Sequence, residues 1–171
     1  KAIIIPHQIP DVSVSEETPE FFDINQFNIL HAGSMMSARN PMALTHAFCE
    51  LLQEHTDFKK DARLIFLGNR SVFHETLEEL SNKHTALYVH PDYLNFDIVL
   101  SMQYKASINV VLEAKAPISP FLPGKVPHCI QADTPILLLS PYKSETKRIL
   151  GETYPYWSEI DDVPAIKSHL L

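Results

Sequence analysis

The chain has 171 residues, which is enough for one ordinary domain and too few for two large ones. Its 14 Lys and Arg against 21 Asp and Glu give a net charge of −7 with no basic block, which argues against nucleic acid or an anionic membrane surface as the main partner. A composition of 45% hydrophobic and 20% charged residues is typical of a globular protein. No apolar run approaches the roughly 18 residues needed to cross a bilayer.

The first half of the chain alternates short apolar runs with amphipathic stretches. Glycine or proline follows the apolar runs, and the amphipathic stretches carry apolar residues three and four positions apart, as after Asn40-Pro41. The predicted elements are a strand over Lys1–Ile5, an acidic loop over Asp11–Glu20, a strand over Phe27–His31, a helix beginning at Pro41, a strand over Arg63–Leu67, a helix over Ser71–Asn82 with Val72, Phe73, Leu77 and Leu80 on one face, and a strand over Thr85–Val89.

The second half continues the alternation after a turn at His90-Pro91. Ser144 is placed to cap the helix that ends at Leu150-Gly151. The predicted elements are a helix over Phe96–Lys105, a strand over Ser107–Ala114, a proline-dense turn, a helix over Lys125–Ala132, a strand over Pro135–Leu139, the helix capped by Ser144, a strand over Thr153–Trp157 and a helix over Asp162–Leu171.

Continuous apolar strands of this kind, alternating with helices, indicate a parallel sheet covered on both faces. Right-handed crossovers then give an α/β, Rossmann-like, doubly wound fold. The two cysteines, Cys49 and Cys129, each lie in an apolar run and are expected to be free core thiols. The nine histidines include no H-E-x-x-H pair and no C-x-x-C accompanies them, so we expect no metal site.

Two loops reach the carboxyl edge of such a sheet, where ligands bind in this fold class. The first runs from Gly33 to Pro41 and carries Arg39 next to a helix start. The second ends at Gly124-Lys125, directly before a helix, where a lysine opposes the helix dipole unless an anion is bound. For both cations a solvated surface charge remains an alternative. The chain has neither a G-x-G-x-x-G nor a P-loop motif, which argues against a nicotinamide dehydrogenase and a P-loop NTPase.

Together these segments resemble the C-terminal, donor-binding domain of GT-B glycosyltransferases, in the large retaining family 4 group. Four segments carry the resemblance: Ile4–Asp11 is similar to the interdomain "IPNGID" segment; Ile29–Gly33 with Arg39–Pro41 and Leu44-x-x-Ala47 to the first strand and its glycine loop; Leu64–Gly68 to the second strand; and Pro123–Leu137 to the "P-x-K-x-x-E-x-x-x-x-G-x-P" segment. The last segment is the most specific, because Lys125 and Pro135 stand at the family's spacing.

The resemblance implies a linker over residues 1–20 and a donor-binding domain over residues 21–171. Because the chain starts inside the linker, at Lys1 rather than Met, we expect the N-terminal acceptor domain to be absent from it. The implied reaction is transfer of a glycosyl group from a nucleotide-sugar, in bacterial polysaccharide or glycoconjugate synthesis. No metal or other cofactor and no nucleic-acid partner is expected. A cytoplasmic location follows, with peripheral association of the full-length enzyme with the inner face of the membrane.

The resemblance also assigns roles to individual residues. Arg39 and Lys125 would be catalytic, because they would offset negative charge on the departing diphosphate. Donor-binding roles fall on Gly33, Ser34, His90, Pro123, Gly124 and His128. His90 would border the base, and His128 stands where the family has a carboxylate that holds the ribose.

Three positions depart from the family pattern. The E-x7-E pair falls on Pro120 and His128, and Asp133 replaces a glycine. A diverged Rossmann-like binding module without catalytic activity therefore stays open as an alternative. A receiver-like signalling domain would need acidic residues at the end of the first strand, where this chain has His31, Ala32 and Gly33.

Overall fold

The computed structural model describes residues 14–171, so the predicted strand Lys1–Ile5 and the "IPNGID"-like segment lie outside the described residues. The elements, in chain order, are β1 Phe27–Ala32, α1 Met42–Glu54, α2 Thr56–Asp61, β2 Ala62–Leu67, α3 His74–Lys83, β3 Leu87–Val89, α4 Phe96–Lys105, β4 Ile108–Leu112, β5 Ile118–Ser119, α5 Val126–Gln131, β6 Ile136–Leu139, β7 Lys143–Ser144, α6 Glu145–Leu150, β8 Trp157–Ser158 and α7 Val163–Leu170.

Six strands form one parallel sheet in the order β3-β2-β1-β4-β6-β8. The strand order reverses between β1 and β4, so the carboxyl ends of these two strands flank a topological switch point. This arrangement confirms the predicted α/β, doubly wound, Rossmann-like fold. It also places the loops after β1, β2, β3 and β4 along one edge of the sheet.

The sheet is buried on both faces, as the unbroken apolar strands predict. Residues of α1, α3 and α7 pack on one face in a cluster that includes Phe48, Leu77 and Ile166. On the opposite face Met102 of α4 and Val126 of α5 lie in two smaller clusters. Because helices cover both faces, a binding site is expected at the carboxyl ends of the strands.

Most predicted elements are confirmed to within a few residues. The Ser144 cap is also confirmed, since its hydroxyl accepts a hydrogen bond from the Lys147 amide at 3.1 Å. Cys49 and Cys129 are free, but Cys49 is only partly buried. Val72 was wrongly placed on the buried face of α3: it precedes the helix and is 73% exposed, because the chain first makes a turn in which Ser71 Oγ accepts the Phe73 amide.

Two features were not predicted. The short helix α2 carries a single large apolar residue, Phe58, and therefore has no periodic pattern. A second sheet pairs β5, inside the proline-dense turn, with β7, and each strand has only two residues. Elements of this length depend on their tertiary contacts rather than on local sequence.

Residues 14–20, part of the predicted linker, are irregular, as the prediction for Asp11–Glu20 requires. The segment lies against α4, because the Ser101 hydroxyl is 2.7 Å from the carbonyl oxygen of Ser15 and 3.0 Å from that of Glu17. The Lys105 ammonium donates to the Glu16 carbonyl. These hydrogen bonds from side chains of α4 to backbone carbonyls fix the direction from which the chain enters the domain.

Candidate functional site

The loops after β1 and β2 meet at two glycines. The Gly33 amide donates to the Leu67 carbonyl at 2.8 Å, and both Gly33 and Gly68 have φ of +151°. A Cβ atom at Gly68 would lie 2.4 Å from the Gly33 carbonyl oxygen, whereas a Cβ at Gly33 would lie 3.1 Å from Lys125 Nζ. Glycine at both positions lets two backbones and one ammonium approach each other closely.

A cavity of about 310 Å³ opens at this edge of the sheet. Its wall combines glycine backbone and a few polar groups with apolar and aromatic side chains, which is the usual character of a small-molecule site. The lining residues are Ala32, Gly33, Ser34, Leu67, Gly68, Asn69, Tyr93, Leu94, Phe96, Val99, Gln103, Gly124, Lys125 and His128.

Among residues 14–171, Lys125 is the only charged side chain that lines the cavity besides the titratable His128. It occupies the N-cap position of α5, but its side chain runs toward the ends of β1 and β4. Its Nζ lies 3.1 Å from His31 Nδ1 and 3.4 Å from the Val110 carbonyl oxygen. The side chain is half-buried, and its ammonium lies at the switch point of the sheet, beside β1 and β4.

Among residues 14–171 the charge of Lys125 has no local counter-charge. The pKa of Lys125 is lowered to about 7, chiefly by burial and to a lesser extent by nearby Arg39, while Cys129 acts in the opposite direction. Burial raises the pKa of the Cys129 thiol to about 11, so at neutral pH it is uncharged. Within residues 14–171 neither Lys125 nor Arg39 forms an ion pair with a carboxylate.

His31 is the second buried polar group of the site. Only 1% of its surface is exposed, and its Nε2 has no hydrogen-bond partner among the described residues. Burial lowers its pKa well below the ordinary value, and the charge of Lys125 adds to that effect. The imidazole is therefore neutral at pH 7. An uncompensated ammonium beside a neutral imidazole, at the mouth of an apolar cavity, is suited to binding an anion.

The structure brings five of the eight predicted site residues to this cavity, namely Gly33, Ser34, Gly124, Lys125 and His128. The ring of His128 packs edge-on against Phe96 with centroids 5.3 Å apart, and its Nδ1 has no partner in the described part of the chain. Arg39 lies in the loop after β1, near enough to act on Lys125 electrostatically, but it does not line the cavity.

His90 and Pro123 also lie outside the cavity wall. His90 follows β3, where its Nδ1 is 3.2 Å from the Tyr88 hydroxyl and its ring is 5.2 Å from that of Phe21. These neighbours engage one of its two ring nitrogens and pack against its ring. The predicted role of His90 at the base therefore remains a prediction, with no cavity contact behind it.

Sequence reasoning missed several residues of the site. Gly68 had the same signal as Gly33, a glycine directly after a buried strand, but was not assigned to the site. His31 had a weaker signal, a titratable residue inside an otherwise apolar strand. Tyr93, Leu94 and Val99 gave none, because apolar residues that line a cavity look like core residues in a sequence.

No family model matches the chain, and no curated protein matches it in sequence. Solved structures do match its fold. An alpha,alpha-trehalose-phosphate synthase (UDP-forming) from Burkholderia vietnamiensis superposes with a TM-score of 0.65 at 10% identity, over 85% of this chain and 35% of that one. The E. coli trehalose-6-phosphate enzyme bound with UDP-2-fluoro glucose gives 0.61 at 13% identity, over 85% and 36%. The Burkholderia xenovorans synthase in complex with glucose-6-phosphate gives 0.61 at 14%, over 85% and 35%.

These neighbours are GT-B glycosyltransferases, and the likeness establishes the fold: the chain has the Rossmann-like architecture of one half of a GT-B protein. The chain spans about a third of the length of the structures it matches, at 34–36% in the superpositions. None of the helices in residues 14–171 has the length and apolar character needed to span a membrane.

Proposed function

We propose that this chain is the donor-binding domain of a glycosyltransferase and that the cavity beside Lys125 takes a nucleotide-sugar. One observation carries the proposal: a half-buried ammonium with no carboxylate partner among residues 14–171 faces a cavity at the switch point of the sheet, between two glycine loops. A diphosphate would supply the missing negative charge. Two of the structural neighbours are UDP-forming synthases, and one was solved with a UDP-sugar analogue, which agrees with this chemistry.

The proposed mechanism is electrostatic. When the glycosyl bond to the diphosphate breaks, negative charge grows on the leaving oxygen. Lys125 inside the cavity and Arg39 in the adjoining loop would stabilise that charge. Glycine at position 33 lets the Lys125 ammonium approach the end of β1 closely, where it would meet the phosphates. The acceptor would be held by another domain. More specifically, we propose that the full enzyme is a family 4-like, retaining glycosyltransferase of polysaccharide or glycoconjugate synthesis.

The cavity wall offers places for the rest of the donor. Tyr93 and Phe96 stand exposed at its mouth, 73% and 45% accessible, and present faces on which a planar base can stack. His128 offers one unpartnered ring nitrogen to the ribose hydroxyls. The lack of a carboxylate there weakens the expected binding of the ribose and favours the second candidate, a diverged Rossmann-like binding module without catalytic activity.

A thermal-shift panel tests the proposal. The wild-type chain is heated alone and with UDP, GDP, ADP and CDP, each beside its nucleoside and beside pyrophosphate. We expect at least one nucleoside diphosphate to raise the melting temperature more than its nucleoside, because ligands that bind only the folded state stabilise it. Lys59→Ala, which changes an exposed lysine on α2, is the control and should respond like the wild type. A panel with no response to any diphosphate would reject nucleotide binding.

The proposal as a donor-binding domain also predicts the activity of the 171-residue chain. Because another domain would hold the acceptor, this chain should bind the nucleotide-sugar but transfer nothing to any acceptor. Nucleotide-sugar consumption, followed by release of the nucleoside diphosphate, measures this directly. Glycosyl transfer by the chain alone would contradict its assignment as a donor-binding half.

A further inference from the structure

His31 is an unusual residue for its position. It lies in the central strand β1 of a sheet buried on both faces, and its neighbours are apolar, including Phe66 with its ring centroid 5.9 Å away. A buried imidazole loses its hydration unless it makes hydrogen bonds, so an aliphatic residue would be favoured here on stability alone. Its Nδ1 lies 3.1 Å from Lys125 Nζ and 3.3 Å from the Val110 carbonyl oxygen, and the backbone of Gly33 is also close enough to raise its pKa slightly.

Both contacts are made through the same nitrogen, Nδ1. This nitrogen can accept a hydrogen bond from Lys125 or donate one to the Val110 carbonyl, but it cannot do both. The Lys125 ammonium can donate only to an unprotonated Nδ1. A second N–H of the same ammonium then donates to the Val110 carbonyl oxygen, at 3.4 Å. In this arrangement two of the three ammonium protons are held inside the protein. The third is left for a ligand in the cavity.

We propose that His31 is a positioning residue for the anion site: its Nδ1 accepts a hydrogen bond from Lys125, holds the ammonium over Gly33 at the carboxyl end of β1, and favours the charged form of a lysine that no carboxylate of the described residues neutralises. The identity of the anion rests on the function proposed above, whereas the His31–Lys125 contact does not. His31 itself touches no ligand in this arrangement and acts through Lys125.

The groups that face the pair explain why an acceptor is needed there. Arg39, from the loop after β1, disfavours a second positive charge, and burial does so more strongly. From α5, Cys129 faces it as a neutral thiol, and His128 lines the same cavity. Among residues 14–171 no Asp or Glu pairs with Lys125. His31 is therefore the strongest acceptor that the ammonium has.

The titration of Lys125 in the ligand-free chain tests the proposal. Competitive acetylation with acetic anhydride between pH 5.5 and 9.5, read by mass spectrometry of the peptide that contains Lys125, gives the midpoint of its deprotonation. We expect a midpoint near pH 7 in the wild type, a midpoint about half to one pH unit lower in His31→Leu, and recovery in His31→Asn, whose amide oxygen can accept the same hydrogen bond. His46→Leu, an exposed histidine of α1, is the control.

An unchanged Lys125 midpoint in folded His31→Leu would overturn the proposal. A second measurement needs no substitution: long-range ¹H–¹⁵N spectra of the wild-type histidines report which ring nitrogen of His31 carries the proton. Below the Lys125 midpoint we expect the proton on Nε2 and none on Nδ1. A proton on Nδ1 under those conditions would contradict the proposal even if both variants failed to fold.

Binding of pyrophosphate separates this proposal from the function proposed above. At pH 6.5 we expect His31→Leu to bind pyrophosphate about three- to ten-fold more weakly than the wild type, with His31→Asn between them. If the wild type binds neither pyrophosphate nor a nucleoside diphosphate, the proposed function fails, and the acetylation and tautomer results still decide the role of His31. Equal pyrophosphate affinity in His31→Leu and the wild type would overturn that role.

Discussion

Gly68 faces the backbone of Gly33 so closely that a Cβ atom at position 68 would lie 2.4 Å from the Gly33 carbonyl oxygen and 2.9 Å from its carbonyl carbon. No side chain can be accommodated at that distance without moving one of the two loops. The loops after β1 and β2 are therefore fixed to each other by backbone contact, with the Gly33 amide bonded to the Leu67 carbonyl at 2.8 Å. The Lys125 side chain packs against Gly33 at this contact.

Gly68→Ala should destabilise the domain by at least about 2 kcal/mol, because the added methyl group both overpacks the loop contact and disfavours the positive φ. Urea denaturation followed by circular dichroism measures the free energy of unfolding. Gly124→Ala is the matched control, since nothing lies within 4 Å of a Cβ there and its φ is not positive. Equal stability of the two variants would show that the loops are not in contact.

Asp133 follows α5 in the left-handed region, with φ of +54°. The glycosyltransferase family that the sequence resembles has glycine at this position. The left-handed backbone gives a physical reason, because glycine is favoured in this conformation after the C-terminus of a helix. We expect Asp133→Gly to be about 1 kcal/mol more stable than Asp133→Ala, because only the second variant places a Cβ in that region. Thermal denaturation of both variants measures the difference. The reverse order would contradict the left-handed backbone.

The free energy of unfolding should depend on pH through Lys125. Its pKa is about 7 in the folded chain against 10.5 for an ordinary lysine, so between these values the unfolded chain binds the extra proton. Stability contributed by this group therefore increases as the pH rises from 7 toward 10. Lys125→Met lacks that increase, and the stability difference between wild type and variant should move in favour of the wild type over this range. Urea denaturation at pH 7, 8 and 9 is the measurement.

Other titrating groups, such as Lys115 and Lys167, are the same in both chains and cancel in that difference. Lys59→Met, at an exposed position, should run parallel to the wild type. A difference between wild type and Lys125→Met that stays constant with pH would mean that Lys125 is not desolvated in the folded chain.

The sequence was sufficient for most of the fold, for a physical reason. In a parallel sheet covered on both faces each strand is a continuous apolar run, and glycine or proline ends it, so β1, β2 and β6 stand out in a single sequence. The helix α2 and the sheet of β5 with β7 do not, because their few residues carry no periodic pattern.

The site was only partly predictable. Lys125 and Gly33 were found from their place next to predicted element ends, and the structure puts them within contact of each other. The direction of the Lys125 side chain could not be predicted, since it depends on the packing of α5 against β4. His31 was hidden because a polar residue inside an apolar strand has its partner 94 positions away in the chain.

His128 allows a test of the ribose side of the cavity. His128→Glu introduces the carboxylate that the resembling family has there, and two ribose hydroxyls can donate to it. We expect tighter binding of a nucleoside diphosphate by about 1.5–3 kcal/mol relative to His128→Ala, as for hydrogen bonds to a charged acceptor, and no gain for pyrophosphate, which has no ribose. Calorimetric titration compares the two ligands. A gain for pyrophosphate as well would place His128 near the phosphates instead.

The central claim, that Lys125 binds the phosphates of a nucleotide, is tested most directly by calorimetric titration of wild type and Lys125→Ala with a nucleoside diphosphate and with its nucleoside. Loss of a charge-assisted contact typically costs about 1.5–3 kcal/mol, or about 10- to 150-fold in affinity, and only the diphosphate should show it. Lys59→Ala should bind both ligands like the wild type. Equal losses for diphosphate and nucleoside in Lys125→Ala would show that the lysine supports the cavity rather than the phosphates, and would contradict the account.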